Sequence, residues 1–265
     1  MRLAIGLEYD GTDFMGWQRQ AHAGRTVQAC AEAAIAKVAD HPVELTCAGR
    51  TDAGVHASGQ VAHFDTQAPR SGRGWLLGLN SNLPEDMAIN WIRNVPEDFH
   101  ARFRARARHY RYTILNRVTR SALQRIRATW VHSPLNVEPM QIAAMHLLGK
   151  HDFSAFRAVE CQARSPVRSI HRIEVRRVGE QVTLDVVADG FLHHMVRNIA
   201  GVLIAIGAGK HPSDWARDVL QGRDRTLGGV TAPAEGLCLV AVLYPPVFAI
   251  PMPGDALFDG VSANL

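Results

Sequence analysis

Residues 43–66 read VELTCAGRTDAGVHASGQVAHFDT. Val43, Leu45 and Cys47 alternate with polar neighbours, the period of a half-buried strand, and residues 60–66 read as another strand. Between them lies a glycine-framed loop, Ala48-Gly49-Arg50-Thr51-Asp52-Ala53-Gly54-Val55-His56-Ala57. The strand pair is hairpin-like, with a loop and no helix between its members. Such pairs are the units of an antiparallel sheet. The loop holds one acid, Asp52, two residues after Arg50. A lone carboxylate beside a fixed positive charge stays ionised, which is wrong for the paired-carboxylate chemistry of a glycosidase. It suits a nucleophile, or a charge needed throughout a reaction. The glycines let the backbone bend and a large ligand approach. His56 and Gln60 follow as candidate ligand groups, and the flanking strands hold the loop rigidly.

Outward from this loop, strands and helices interleave. Leu3, Ile5, Leu7 and Tyr9 form an opening strand with one buried face, ended by the turn signal Asp10-Gly11. Thr26 caps a helix whose Val27, Cys30, Ala31, Ala34, Ile35 and Val38 recur at the three-four spacing of a buried face. Residues 75–79 suggest a short helix and 88–95 a fourth strand. Further on, 108–115 alternate as a strand, 138–148 form a helix, and 173–178 with 182–188 form a hairpin about Gly179-Glu180. Residues 191–206 read as a strongly apolar helix, 213–220 as another, and 237–243 as a last strand. Hairpin-like pairs with mixed connections predict an α+β fold with largely antiparallel sheet, not a doubly wound parallel one. The layout divides into an N-terminal half, 1–104, carrying the aspartate loop, and a C-terminal half, 105–246. A loosely held tail is expected over 247–265. Two such halves suggest a cleft between them.

Composition narrows the function. The chain has 265 residues, 47% hydrophobic and 20% charged, as in ordinary globular proteins. Lysine occurs only at Lys37, Lys150 and Lys210, so 26 of the 29 basic residues are arginine. Nine of these fall between Phe99 and Val137, a stretch with no Asp or Glu. A bias toward arginine codons explains Arg in place of Lys but not the missing acids. A concentrated arginine stripe is the footprint of a phosphate backbone, which arginine grips bidentately. The four cysteines form no C-x-x-C pair, so a zinc ribbon or redox motif is not indicated. A reduced, cytoplasmic setting is expected, and the N-terminus has no signal-peptide pattern. Gly207-Ala208-Gly209-Lys210 lacks the earlier glycine of a phosphate loop, and no dinucleotide fingerprint or H-E-x-x-H occurs. His193 and His194, if helical, point about 100° apart and do not share an ion easily. Neither metal nor cofactor is expected.

Two further constellations stand out. In His109-Tyr110-Arg111-Tyr112, alternation puts the tyrosines on one face and His109 and Arg111 on the other. Tyr112 reads as core; Tyr110, nearer the strand's start, is suited to present its ring to a flipped base. Arg197 sits within an apolar helical run, where a buried arginine needs a carboxylate partner. Asp52 is the candidate of interest.

Together these stretches resemble the bacterial tRNA pseudouridine synthase A family. The resemblance rests on Glu8-Tyr9-Asp10-Gly11, Gly16-Trp17-Gln18-Arg19-Gln20, the Ala48 to Ala57 loop, Phe99-His100-Ala101-Arg102-Phe103 and Arg108 through Tyr112. It continues in Asp152-Phe153-Ser154-Ala155-Phe156-Arg157, His193 through Asn198, and Ala234-Glu235-Gly236-Leu237. The matches run in order to about Tyr244, and little resemblance follows Pro245. The resemblance implies cofactor-free isomerisation of uridine to pseudouridine at positions 38 to 40 of the tRNA anticodon stem-loop. It implies two ferredoxin-like halves about a basic cleft, and a homodimer. By position, Asp52 matches the catalytic aspartate and Arg50 a residue linked to flipping the base. Tyr110 matches the tyrosine that stacks on the target, Arg197 the arginine paired with the aspartate, and Leu237 an apolar pocket wall. Arg70, the stretch Phe99 to Phe103, and Glu160, Cys161, Gln162, Ala163 and Arg164 match tRNA-contacting segments. The last often begins with Gln in the family, so Glu160 brings an acid toward phosphate. Attack on sugar, attack on base and removal of a sugar proton all remain open to an anionic Asp52. Two other functions share these features: a tRNA-binding or chaperone module without catalysis, and a related synthase acting on another RNA.

Overall fold

A computed structural model describes residues 1–20 and 24–258. Its elements run β1 (Arg2–Tyr9), α1 (Val27–Ala39), β2 (Thr46–Cys47), β3 (His56–Asp65), α2 (Gly72–Asn82), β4 (Met87–Val95) and β5 (Ala107–Asn116). Then follow β6 (Thr129–Val131), α3 (Val137–Met145), β7 (Gly149–Asp152), β8 (Val167–Val178), β9 (Gln181–Ala188), α4 (Met195–Gly207), α5 (Trp215–Gly222) and β10 (Leu237–Leu243). β1 pairs antiparallel with β3 and β4, β9 with β5 and β8, and β7 with β8, while the short β6 joins β5 in parallel. The fold is α+β with mostly antiparallel pairing, as the hairpin pattern predicts. Among the described residues no helix is long and apolar enough to cross a membrane.

The chain forms two compact units. Among the described residues, one is Met1–Arg106 with Leu239–Ala256; the other is Ala107–Cys238 with Leu257 and Phe258. The first unit carries strands in the order β4-β1-β3-β10, with β2 on β3. Leu3, Ile5, Leu7 and Tyr9 of β1 are buried, as are Ala4 and Gly6 on its other face. Thr26 caps α1, its side chain accepting from the Ala29 N–H, and Val27, Ala31, Ala34 and Ile35 are buried at helical spacing. In α2, capped by Ser71, Trp75 and Leu79 are one turn apart and buried. The second unit orders its strands β5-β9-β8-β7, with β6 on β5. Its core takes Val196, Ile199, Ala200 and Leu203 from α4 and Met140, Ala143 and Ala144 from α3.

Several boundaries depart from the periodicity. The strand expected from Val43 shortens to Thr46–Cys47 because α1 captures the backbone before it. The Leu45 N–H donates to Glu32 Oε1 at 3.0 Å, and the Leu45 carbonyl accepts from Gln28 Nε2 at 3.3 Å. β3 begins at His56 instead of Gln60, so both candidate ligand groups sit on a strand. The apolar helix begins at Met195 and not at 191. His194 precedes it in the left-handed region, φ 61°, and the His193 and His194 rings lie against each other, tilted by 37°, with centroids 4.0 Å apart. The helical spacing argued for that pair therefore does not apply. The stretch beyond 246, expected to be loosely held, has buried anchors: Phe248 lies 5.1 Å from the Phe99 ring, and Phe258 lies 6.2 Å from His109. Residues 259–265 of that expected tail lie outside the described residues.

Candidate active site

In the first unit, residues 48–55 connect β2 to β3, and backbone groups along them are held at several points. The Ala48 N–H donates to the Val61 carbonyl at 2.8 Å. Gln60, wholly buried, donates through Nε2 to the Gly49 carbonyl at 2.7 Å. The Thr51 hydroxyl bonds the Tyr9 hydroxyl at 2.9 Å, and the Thr51 carbonyl accepts from the Trp17 N–H at 3.0 Å. The Val55 N–H donates to the Asp52 carbonyl at 3.2 Å, closing a turn, and the Gly54 N–H donates to the Phe14 carbonyl at 3.2 Å. Gly16, at φ 85°, passes so close that a Cβ would lie 2.8 Å from the Thr51 carbonyl oxygen. Tyr9, Phe14 and Trp17 form the aromatic floor beneath, with Tyr9 6.5 Å from Phe14 and 6.3 Å from Trp17. From the motifs Glu8 to Gly11 and Gly16 to Gln20, Tyr9, Gly11, Gly16 and Trp17 thus serve the aspartate loop, while Gln18 and Arg19 turn to Gln28 and Glu32 of α1.

His56 and Gln60 are supports in this arrangement. The Gly11 N–H donates to His56 Nδ1 at 3.0 Å, which makes that nitrogen an acceptor. The Asp10 carboxylate, 3.2 Å from the same atom, faces a nitrogen already used as an acceptor. Asp52 itself is half-buried and Arg50 exposed. At the loop's start, burial pushes the Cys47 thiol up to about 12 despite the Arg50 charge, so it remains a neutral thiol.

In the second unit, Tyr110 lies on β5, 7% exposed, edge-on to Phe191 with ring centroids 5.0 Å apart. Tyr112 is core, as its phase predicts. Its hydroxyl bonds the Thr129 hydroxyl at 2.5 Å and the Pro233 carbonyl at 2.8 Å. Burial drives its phenol far above the usual range, against the Thr129 hydrogen bond and the Arg197 charge. Arg197 stands in the first turn of α4, and its Nε donates to the Ala232 carbonyl at 2.8 Å. Leu237 opens β10 and is buried. On the other face of β5, His109 Nε2 and Arg111 Nε both reach Asp185 Oδ1, at 2.7 and 2.8 Å.

The expected RNA-contacting residues divide by exposure. Arg70, Arg102, Phe103, Glu160, Gln162 and Arg164 are exposed; His100, Cys161 and Ala163 are half-buried. Phe99 and Ala101 are wholly buried, so the surface of that stretch belongs to its neighbours. The Phe103 ring, 75% exposed, lies tilted against His100 with centroids 4.2 Å apart. The arginine stripe is partly compensated by acids from outside it: Arg104 meets Asp98 at 2.8 Å, Arg111 meets Asp185, and Arg117 meets Glu180 at 3.0 Å. Several buried polar residues were given no role of their own by the sequence, Asp185 and Asn198 among them. Asp185 interrupts the apolar run of β9 directly opposite Arg111, and Asn198 interrupts the buried face of α4. In each case a polar residue at an apolar phase was the available signal.

The family model for tRNA pseudouridine synthase matches residues 6–104 and 143–245. A tRNA pseudouridine synthase A of Methylococcus capsulatus is 56% identical over 264 residues, covering 100% of this chain and 96% of that protein. Those of Alcanivorax borkumensis and Pectobacterium atrosepticum are 55% and 52% identical. The former alignment covers 94% of each chain, the latter 96% of this chain and 89% of its relative. Among solved structures, a chain of a Cbf5-Nop10-Gar1 complex aligns over 76% of this chain and 45% of its own. Its identity is 12% and its TM-score 0.32, a likeness too weak to argue from. The motif order, the clamped aspartate loop and full-length identity above one half agree, and the chain belongs to the tRNA pseudouridine synthase A family.

Proposed function

We propose that this protein converts uridine to pseudouridine at positions 38, 39 and 40 of the tRNA anticodon stem-loop, with Asp52 as the nucleophile. Isomerisation of tRNA uridine follows from family membership. The site and the residue roles are the finer reading. The observation that carries it is the clamp on residues 48–55: a half-buried carboxylate on a loop fastened by Tyr9, Phe14, Trp17 and Gln60. A nucleophile held in one geometry reacts without first ordering itself, a large part of the barrier in such reactions.

In the reaction the N1–C1′ bond breaks, the base turns, and a C5–C1′ bond forms. The C5 proton moves to solvent and N1 gains one, so every heavy atom of the product comes from the substrate. The target base must leave its stack at a cost of a few kcal/mol. In this reading Tyr110 stacks on the base, Arg50 helps to turn it out, and Leu237 forms an apolar wall. Arg197 pairs with Asp52, which keeps the carboxylate charged and oriented. Two ferredoxin-like halves would line a basic cleft, with Arg70, residues 99–103 and residues 160–164 along the RNA. A cytoplasmic homodimer is the expected working form.

Asp52→Asn tests the reading. Purified wild-type protein incubated with unmodified tRNA should produce pseudouridine at positions 38–40, mapped by base-specific chemistry. The variant should retain tRNA affinity within about twofold while turnover disappears. Appreciable pseudouridine from the variant would overturn the assignment. Salt-dependent tRNA binding without product from the wild type would instead indicate a non-catalytic RNA-binding protein.

A further inference from the structure

We infer that Asn198 is a positioning residue for Arg197, acting through the chain segment that carries Thr231 and Ala232. The inference rests on the reading of Arg197 as the partner of the catalytic aspartate. Asn198 is 2% exposed, next to Arg197 on α4, and both ends of its amide are used. Its Nδ2 donates to the Phe156 carbonyl at 2.8 Å. Its Oδ1 accepts from the Thr231 hydroxyl at 2.7 Å and from Arg225 Nη2 at 3.0 Å. Arg225 Nη2 also donates to the Thr231 hydroxyl oxygen at 2.9 Å, so three side chains close a ring.

The next residue, Ala232, transmits this ring to Arg197. Its N–H donates to the Arg197 carbonyl at 3.1 Å, and its carbonyl accepts from Arg197 Nε at 2.8 Å. Backbone and side chain of Arg197 are therefore both tied to one residue, and Thr231, just before it, is tied to Asn198. Gly201, one turn along α4, has no room for a Cβ beside the Val230 carbonyl, so the segment lies flat on the helix. With Nε engaged by Ala232, a carboxylate meets Arg197 through its Nη edge. That forked geometry tolerates little rotation. The amide supplies both the donor to Phe156 and the acceptor for Thr231 and Arg225. An aspartate at 198 loses the donor, and a leucine loses all three bonds.

The test is a double-mutant cycle with steady-state kinetics on tRNA, each variant assayed where circular dichroism shows it folded. Asn198→Ala and the milder Thr231→Val should each lower kcat by about tenfold or more, since small misplacements carry costs of that order. KM should stay within about twofold. Thr231→Ser should restore the rate. On an Arg197→Ala background, Asn198→Ala should cost less than about twofold further, because the residue it positions is gone. Equal losses in the two backgrounds would overturn the inference, as would variants that lose thermal stability but turn over normally when folded. Wild-type turnover by Arg197→Ala alone would remove the reading of Arg197, and with it the inference. That outcome is separable from the others because it appears before Asn198 is touched.

Discussion

His63 is enclosed by groups that favour its neutral form. It is buried on β3, its Nδ1 accepts the Ala101 N–H at 3.2 Å, and its ring lies 4.8 Å from His100 and 5.9 Å from Phe99. Burial, followed by the His100 and Arg2 charges, lowers its pKa from 6.5 to about 4, against the opposing pull of Asp65. An unfolded chain protonates this ring at higher pH than the native protein does. Stability from this residue is thus complete above pH 6.5 and declines as pH falls toward 4, with a slope approaching about 1.4 kcal/mol per pH unit. Denaturant unfolding between pH 6.5 and 4.5 should show that slope, and His63→Asn, which keeps an acceptor near Nδ1, should flatten it. An unchanged slope would assign the acid sensitivity elsewhere. At this scale the sequence was legible where chemistry is local. The place of Arg50 and Asp52 on a loop between two strands and the core phase of Tyr112 could be read from neighbours a few residues away. The arginine stripe could not, because Asp98, Asp185 and Glu180, which compensate part of it, lie outside the stretch that lacks acids.

Elements followed periodicity wherever a strand or helix is settled by its own buried face. β10 runs over Leu237–Leu243 and β4 over Met87–Val95, within a residue of expectation. Errors arose where a side chain from another element took over backbone hydrogen bonds. Glu32 and Gln28 of α1 hold Leu45 out of β2, and the left-handed His194 delays α4. The pairing of β5 with β9 shows the same lesson in a polar form. Arg111 and Asp185 are cross-strand partners, and His109 joins them from two residues away. Burial raises the Asp185 carboxyl, but the His109 hydrogen bond and the Arg111 charge outweigh it and hold the group below the usual range. Asp185 therefore contributes stability that is present above the ordinary carboxylate range and is lost as pH falls through its lowered value. Asp185→Asn should destabilise the protein by about 3 kcal/mol at neutral pH, since it leaves Arg111 without its buried counter-charge. Hydrogen exchange should register the loss first in β5 and β9. A change below about 0.5 kcal/mol would show that the pair only balances its own desolvation.

At the scale of the whole molecule, the departure from a two-half layout is that the chain comes back. The first unit includes Leu239–Ala256, more than 130 residues after its first segment ends at Arg106. Periodicity reports which face of an element is buried, not which distant element covers it, so a single cut near residue 104 has no way to express this return. The returning segment is part of the first unit's core. The Tyr244 hydroxyl donates to the Ala101 carbonyl at 2.6 Å, and the Tyr244 ring lies 5.2 Å from Phe99. Phe248, 7% exposed, closes the far side of Phe99 at 5.1 Å, and the Arg93 guanidinium fixes the Ala249 carbonyl at 3.1 Å. Phe99 is in turn held at its carbonyl by Arg2 of β1 at 2.9 Å. A residue in the part of the chain with least family resemblance thus fills the core beneath the stretch that displays Arg102 and Phe103. Phe248→Ala should cost about 3 kcal/mol through the cavity it leaves, and Phe248→Leu roughly half of that. The loss should be uneven. Amide protection should fall in β1 and β3 while β8 and β9 change little, because the cavity opens in the first unit alone. A uniform loss across all four strands would mean that the two units unfold as one, and the returning segment would then stabilise the molecule as a whole.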